Sequence, residues 1–454
     1  MNERFGVRGS GSEAEIPLTP NPSPHTPQKK RGENMKRSET GKGVILCAVF
    51  FFFSVTTAAA VNIGLNYPET GPYMVQGEDQ LHAAKMAVEE INAAGGIARE
   101  KVKLIIRDSQ SKPEVARKNV EEMIDKENCP MIFGGVSSAV AIEGGKVARE
   151  RKKLYFATLS YSNATTVEEG HKYIFRECYN AWMGAKVLSD YLKANYSGKK
   201  YFYIVADYTW GWTTEESIRT FSQTLTPKRH KRTTVPFPGA TENDFREALK
   251  KADESGAEVL VLVLFGTDMS DALKIATEMG LKSKMAMVVP NLTLGMARSA
   301  GPKVMEGVVG ALPWSWNVPY LYDYKRGKEF VEKYAAKYNA YPCTSGASAY
   351  TILYEYKNAV ERAKLFDTKA VVAALEDHPF KFLKDEQVWR GFDHQCVQTV
   401  YAVKCKPETE VVKDKFKEDY FEIMSKMSGE EAAMNKERWL EERKKAVKPP
   451  ELEW

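Results

Sequence analysis

From Val61 onward this chain repeats one pattern, a short apolar run followed by a longer stretch whose apolar residues have helical spacing. The runs at 61–65 (VNIGL), 102–106 (VKLII), 131–135 (MIFGG) and 154–157 (LYFA) read as strands, with helices at 77–94, 113–126 and 139–151 between them. After Tyr179 the pattern restarts. Strands at 201–206, 233–237, 259–265 (VLVLVLF), 285–289 and 308–311 alternate with helices at 181–196, 213–224, 245–255 and 270–279. A largely apolar strand must be covered on both faces, and a helix between successive strands lets them run parallel. The pattern therefore predicts an α/β fold, and its restart predicts two doubly wound parallel-sheet lobes rather than one very wide sheet. Long helices at 321–338 and 347–364, a shorter one at 368–376 and a closing strand or strand pair within 390–404 complete the reading. The segment from Lys406 is charged and reads as a helical tail packed on one lobe, with docking of a partner as the alternative.

The amino-terminal region obeys other rules. Met35-Lys36-Arg37 opens a positive stretch that continues to Lys42, and residues 44–60 form an apolar core ending in Ala58-Ala59-Ala60. This is the pattern of a secretory signal peptide at 35–60, cleaved near Ala60, and it predicts a periplasmic protein. An uncleaved membrane anchor is the alternative. Residues 1–34, rich in Pro, Ser, Gly and charge, are expected to be disordered, with Met35 the native start.

Bulk charge narrows the function by exclusion. The 65 basic and 60 acidic residues leave a formal net charge of +5, dispersed rather than gathered into the basic stripe that a nucleic acid requires. Without the signal, Cys129, Cys178, Cys343, Cys396 and Cys405 remain. That number is odd, and neither a C-x-x-C pair nor a zinc-like Cys/His spacing occurs, so no metal or other cofactor is expected. There is no G-x-S-x-G elbow, no GxxxxGK[ST] loop and no GxGxxG after the first strand. His378 and His394 lie among bulky residues, and no nucleophile accompanies Asp393-His394-Gln395. Binding rather than catalysis is the expected activity.

In open α/β sheets ligands bind beyond the carboxyl ends of the strands. The first such loop, 67–73, carries Tyr73 and leads to Gln76 at a helix start. Ser137 and Ser138 stand directly before another helix, where free backbone N–H groups and a hydroxyl would hold a carboxylate; simple capping of that helix is the alternative. The loop from Thr158 to Thr166 is dense in hydroxyls and includes Ser160 and Tyr161. In the second half Tyr208 and Trp210 follow one strand, Phe265 and Asp268 a second, and Asn291 a third. Hydroxyls on one side and aromatics on the other suit a cleft between lobes that takes a small polar or anionic molecule.

The order and spacing of several short motifs add a family resemblance. They are Gly71-Pro72, the run from Ala84 to Ile97 (AKMAVEEINAAGGI), Arg107-Asp108, Gly134-Gly135-Val136-Ser137-Ser138, Asp207 with Trp210-Gly211, and Arg390-Gly391-Phe392-Asp393-His394-Gln395. From Val61 to about Lys404 the chain resembles the type I periplasmic binding proteins of the branched-chain amino acid/amide group, which serve ABC importers. The resemblance implies two lobes joined by three hinge crossovers, near 176–179, 312–316 and 383–388, closing over a ligand. Lobe 1 would comprise 61–178 plus 313–384, lobe 2 would comprise 179–312 plus 385–406, and 407–454 would be the tail. It implies a small-molecule ligand (an amino acid, amide or carboxylate) and an ABC permease as partners. By position, Ser138 matches a serine that bonds the ligand carboxylate, Ser160 and Tyr161 lie at the carboxylate and ammonium, and Trp210 and Phe265 close over the ligand. Two departures stand out. Asn291 occupies the place of the acidic partner of an α-ammonium, and Gln76 the place of a tryptophan. A buried ammonium needs a counter-charge, which leaves Asp268 or Asp207 to supply it, or else a ligand without an ammonium, aromatic acids included. A ligand sensor of the same fold is the alternative function, which permease and ATPase genes beside this one would argue against.

Overall fold

The computed structural model describes residues 60–454; the disordered segment and signal peptide expected ahead of Ala60 lie outside them. Strands β1 (Ala60–Tyr67), β2 (Lys101–Asp108), β3 (Met131–Gly134), β4 (Leu154–Ala157) and β5 (Ile174–Arg176) form a parallel five-stranded sheet in the order β2-β1-β3-β4-β5. Strands β6 (Tyr201–Ala206), β7 (Lys231–Val235), β8 (Val259–Val263), β9 (Ala286–Val289) and β10 (Val309–Leu312) lie in a second sheet in the order β7-β6-β8-β9-β10. The two orders are the same, so the restart of the sequence pattern is a repeat of topology. In each sheet the winding reverses beside the first strand, which opens a crevice at the strands' carboxyl ends.

Helices fill the intervals. They are α1 (Met74–Ala93), α2 (Pro113–Asp125), α3 (Ser138–Glu150), α4 (Ala181–Tyr196), α5 (Thr209–Ser222), α6 (Glu242–Glu254) and α7 (Thr267–Glu278). Every residue of β8 is buried, as its unbroken apolar run requires. The helix Thr344–Ala363 packs on α1 and brings the later part of the chain back to the first lobe, where Tyr350, Tyr356, Leu353 and Val360 join its core.

Beyond these helices the structure departs from the sequence reading. Strands β11 (Phe380–Lys381), β12 (Glu386–Trp389) and β13 (Cys396–Val397) form a small antiparallel sheet. Strand β14 (Val400–Cys405) then runs antiparallel to β10, and β15 (Phe421–Met427) antiparallel to β14, at the edge of the second sheet. The tail is therefore not helical throughout. Its strand was hidden because β15 is an edge strand whose exposed positions mix Glu422, Ser425 and Lys426 with the apolar Met424, so no clear alternation marks it.

The chain passes between sheets after β5, after β10, and between β13 and β14. The third passage was expected at 383–388 and lies further along. Trp389 and Cys396 are buried in the first core, and Trp389 Nε1 donates to the Arg176 carbonyl at 3.0 Å, which keeps this stretch with lobe 1. Lys384, buried among the passages, donates to the carbonyls of Pro313, at 2.6 Å, and of Thr399, and burial lowers its ammonium to about 8. The cysteines of the described residues are buried free thiols, and among the described residues no helix is long and apolar enough to cross a membrane.

Trp389 packs against Phe156, Phe175 and Phe380 with ring centroids 5.8, 6.0 and 5.1 Å away. Trp389→Ala should lower unfolding free energy by about 3–5 kcal/mol in urea titrations followed by near-UV circular dichroism. Trp389→Phe, which keeps a ring but not the indole donor, should cost less.

Candidate functional site

The two crevices face each other, and loops from both meet. Tyr73, just before α1, shares a hydroxyl hydrogen bond of 2.9 Å with Tyr208, just before α5. Ser162 Oγ and Thr209 Oγ1 are 3.0 Å apart, and the Thr267 N–H donates to the Pro72 carbonyl at 3.1 Å. The approach at Pro72 is possible only because the facing residue is Gly266, whose φ is +64° and whose absent Cβ would lie 2.4 Å from that carbonyl. The Trp210-Gly211 motif has a similar cause: a Cβ on Gly211 would sit 1.9 Å from the Ala206 carbonyl, blocking the helix from starting so close to its strand.

A continuous run of rings lines the meeting face. Phe237 stacks on Tyr73 at 5.2 Å and on Tyr208 at 4.2 Å; Trp210 lies 5.9 Å from Tyr208 and 5.8 Å from Phe265. Phe265 meets the edges of Tyr73, at 5.4 Å, and Tyr161, at 5.7 Å, and Tyr161 meets Tyr179 at 4.8 Å. Phe237 and Tyr179 escaped the sequence reading. The sequence places Phe237 at a strand end and Tyr179 at a passage between lobes, and only tertiary packing brings them to the cleft.

The polar groups divide into those already bonded and those left free. Ser138 Oγ accepts the Ser162 N–H at 3.1 Å, so it fastens the hydroxyl-rich loop to the start of α3. The Ser160 hydroxyl pairs with Thr165 Oγ1 at 2.5 Å, within its own loop. Asn291 Oδ1 accepts from Trp210 Nε1 at 3.2 Å, while its Nδ2 donates to the Tyr179 hydroxyl at 2.8 Å. Its amide thus braces the floor of the second lobe. Ser137 occupies the cap position of α3 without capping it, and its buried hydroxyl has no partner. The buried Tyr161 hydroxyl also lacks one, as do the amide oxygens of Gln76 and Gln80, whose nitrogens donate to Thr293 Oγ1 and Thr158 Oγ1. Buried polar atoms are normally paired, and these unpaired ones belong to the elements that meet at the cleft.

Charge is sparse. Asp268 lies partly buried near Tyr73 and Tyr208, and burial pushes its carboxyl up to about 7. Behind the hydroxyl-rich loop, the buried Arg176 guanidinium donates to the carbonyls of Ser160, at 3.0 Å, and Ser162, and to Thr166 Oγ1 at 2.7 Å. The sequence marks Arg176 only as a passage residue. Among the described residues no group of three or more His, Cys, Asp or Glu could hold a metal ion.

Residues 60–410 match the family model described as periplasmic binding protein. The chain belongs to that family. An amino acid binding protein of Pseudomonas aeruginosa is 26% identical over 356 residues, covering 77% of this chain and 91% of the relative. A periplasmic binding protein from Burkholderia mallei shares the fold with a TM-score of 0.76 at 24% identity, over 84% of this chain and 98% of that one. A solute-binding protein of an ABC transporter from Rhodopseudomonas palustris, solved with 3,4-dihydroxybenzoic acid, superimposes with a TM-score of 0.71 at 17% identity, over 82% of this chain and 98% of that one. This periplasmic binding protein therefore has the two-lobed α/β fold that its sequence predicted.

Removing a buried hydroxyl that bonds to nothing loses no hydrogen bond and relieves a desolvated group. Tyr161→Phe and Ser137→Ala should therefore leave the melting temperature of the ligand-free protein unchanged or raise it. If these hydroxyls serve the ligand, each change should weaken binding by about 1–1.5 kcal/mol, or roughly tenfold, in calorimetric titration.

Proposed function

We propose that this protein is the extracytoplasmic solute-binding component of an ABC importer, and that its ligand is a small carboxylate with an aromatic or apolar body, held without an α-ammonium partner. The observation that carries this reading is Asn291. At the position where the resemblance expects an acidic residue stands a neutral amide bonded to Trp210 and Tyr179. The ring-lined face supplies apolar area for such a body, and the unpaired Tyr161 and Ser137 hydroxyls supply donors for a carboxylate. The 3,4-dihydroxybenzoic acid complex of the Rhodopseudomonas palustris protein supports the same ligand class on this fold. Capture proceeds by closure of the lobes over the ligand, which is then delivered to a membrane permease.

One observation favours a second reading. Asp268 is a carboxylate beside the rings, and it could balance the ammonium of an amino acid, the class named for the Pseudomonas aeruginosa relative. The two readings differ in sign with pH. The Asp268 carboxyl titrates near 7 because burial disfavours its charge, so acidification removes a negative charge next to the cleft. A carboxylate ligand should bind several-fold more tightly at about pH 6 than at about pH 8, and Asp268→Asn should abolish the difference. An amino acid paired to Asp268 should weaken over the same interval.

The direct test is a thermal-shift screen of the mature protein against benzoate, 3,4-dihydroxybenzoate, leucine, isoleucine, valine and simple amides. A ligand at 100 times its dissociation constant adds about 2.7 kcal/mol of stability. Stabilisation by the aromatic acids and not by the amino acids is the expected result; the reverse pattern would sink the carboxylate reading. Asn291→Asp should then admit leucine measurably.

A further inference from the structure

The family match ends at residue 410, yet the residues beyond it are built into both lobes. Strand β15 extends the second sheet. Ser428 then caps a short helix, Gly429–Ala432, and the neighbouring Glu431 carbonyl accepts a bond from Lys186 of α4. From here the chain leaves the second lobe. In the helix Lys436–Lys445, Arg438 still lies 5.5 Å from the Trp182 ring of α4.

The following turn belongs to the first lobe. Trp439 and Arg443 are each 1% exposed. Trp439 Nε1 donates to the Thr166 carbonyl at 2.9 Å, and its ring meets Phe392 at 5.4 Å. Arg443 donates to the carbonyls of Val167, at 2.7 Å, and Gly170, at 3.2 Å, and folds the chain end back through the carbonyls of Pro449 and Glu451. The Lys172 N–H donates to the Glu453 carbonyl at 2.9 Å. Thr166 is thus held twice, its carbonyl by Trp439 and its hydroxyl by Arg176 at 2.7 Å. The same Arg176 holds the carbonyls of Ser160 and Ser162.

We propose that residues 428–454 form a strap that positions the hydroxyl-rich ligand loop, fixing its far end through Trp439 and Arg443 and tethering it to the second lobe. The strap is a fourth connection between the lobes, added to the three passages of the main chain. Three carbonyls of one short loop segment, those of Thr166, Val167 and Gly170, accept from the strap, and that of Val167 also accepts from the Gly170 N–H at 3.3 Å. Without the strap the buried Thr166 and Gly170 acceptors would have to open to water, and the loop with them. A tether anchored on α4 at one end and on this loop at the other also limits how far the lobes can part. The inference rests on the reading of this loop as part of the ligand site, but not on which ligand binds there.

The test uses the ligand-free, mature, full-length protein, so a wrong ligand assignment cannot affect it. Hydrogen exchange is compared for wild type, Trp439→Phe, and the double variant Trp439→Ala with Arg443→Ala. The double variant should exchange the amides of 159–170 at least tenfold faster while β8 and β9 keep their protection. Trp439→Phe, which keeps the ring and loses only the donor to Thr166, should show a smaller increase confined to residues near 166. Spin labels at Lys85→Cys and Lys250→Cys, one on each lobe, should report a wider distance distribution in the double variant. Faster exchange confined to 428–454, with an unchanged interlobe distribution, would overturn the proposal and leave the segment a passive cover. If the double variant fails to fold, Trp439→Phe alone decides, since unchanged exchange near 166 in that variant removes the positioning role.

Discussion

The guanidinium of Arg176 is the interaction on which the rest of the structure most depends. It is fully buried at the end of β5, and its hydrogen-bond partners are carbonyls, an amide and a hydroxyl rather than a carboxylate: Gln395 Oε1 at 2.7 Å, the carbonyls of Ser160 and Ser162, and Thr166 Oγ1. Burying a charge costs several kcal/mol, and burial accordingly lowers this group to about 10. The filled set of acceptors offsets that cost. The backbone of the same residue accepts from Trp389 Nε1 and donates to the His394 carbonyl. One side chain at the first passage therefore joins β5, the stretch before the third passage, and the hydroxyl-rich loop.

That arrangement bears on the proposed ligand as well as on folding. With the carbonyls of Ser160 and Ser162 turned toward Arg176, the loop has a positive charge behind it, and the low dielectric of the interior lets that charge act over distance. Under the proposed carboxylate reading, such a field would favour the ligand. Asp393, a nearby carboxylate, is bonded instead to Arg390, so it only partly balances the field. Asp268 opposes the field only when it is ionised, and its raised titration weakens that opposition near neutral pH.

Much of the fold was legible because it rests on local rules. Apolar runs such as 131–135 and 259–265 became β3 and β8, and the hydroxyl and aromatic loops after them came to the cleft as strand ends must in a doubly wound sheet. The remaining elements carry weak local signals. Strand β5 is only Ile174–Arg176, too short for any periodicity, and β15 carries charged residues on its exposed side. The passage near 383–388 was misplaced because nothing in the linear sequence says that Trp389 will bury against Phe156 and Phe175.

By itself, then, the sequence determined the two-lobed α/β architecture, the loops at the facing strand ends, and the absence of an acidic side chain at Asn291, since these depend on residue identity and spacing. Tertiary structure alone decided which side chains in those loops remain free. Ser138 and Ser160 have the right chemistry for a ligand, but each hydroxyl is bonded inside the protein, whereas those of Tyr161 and Ser137 are not. It also turned a charged tail into an edge strand and an interlobe strap. Hydrogen-bond satisfaction and burial are properties of where distant segments meet, and no local pattern in the chain encodes them.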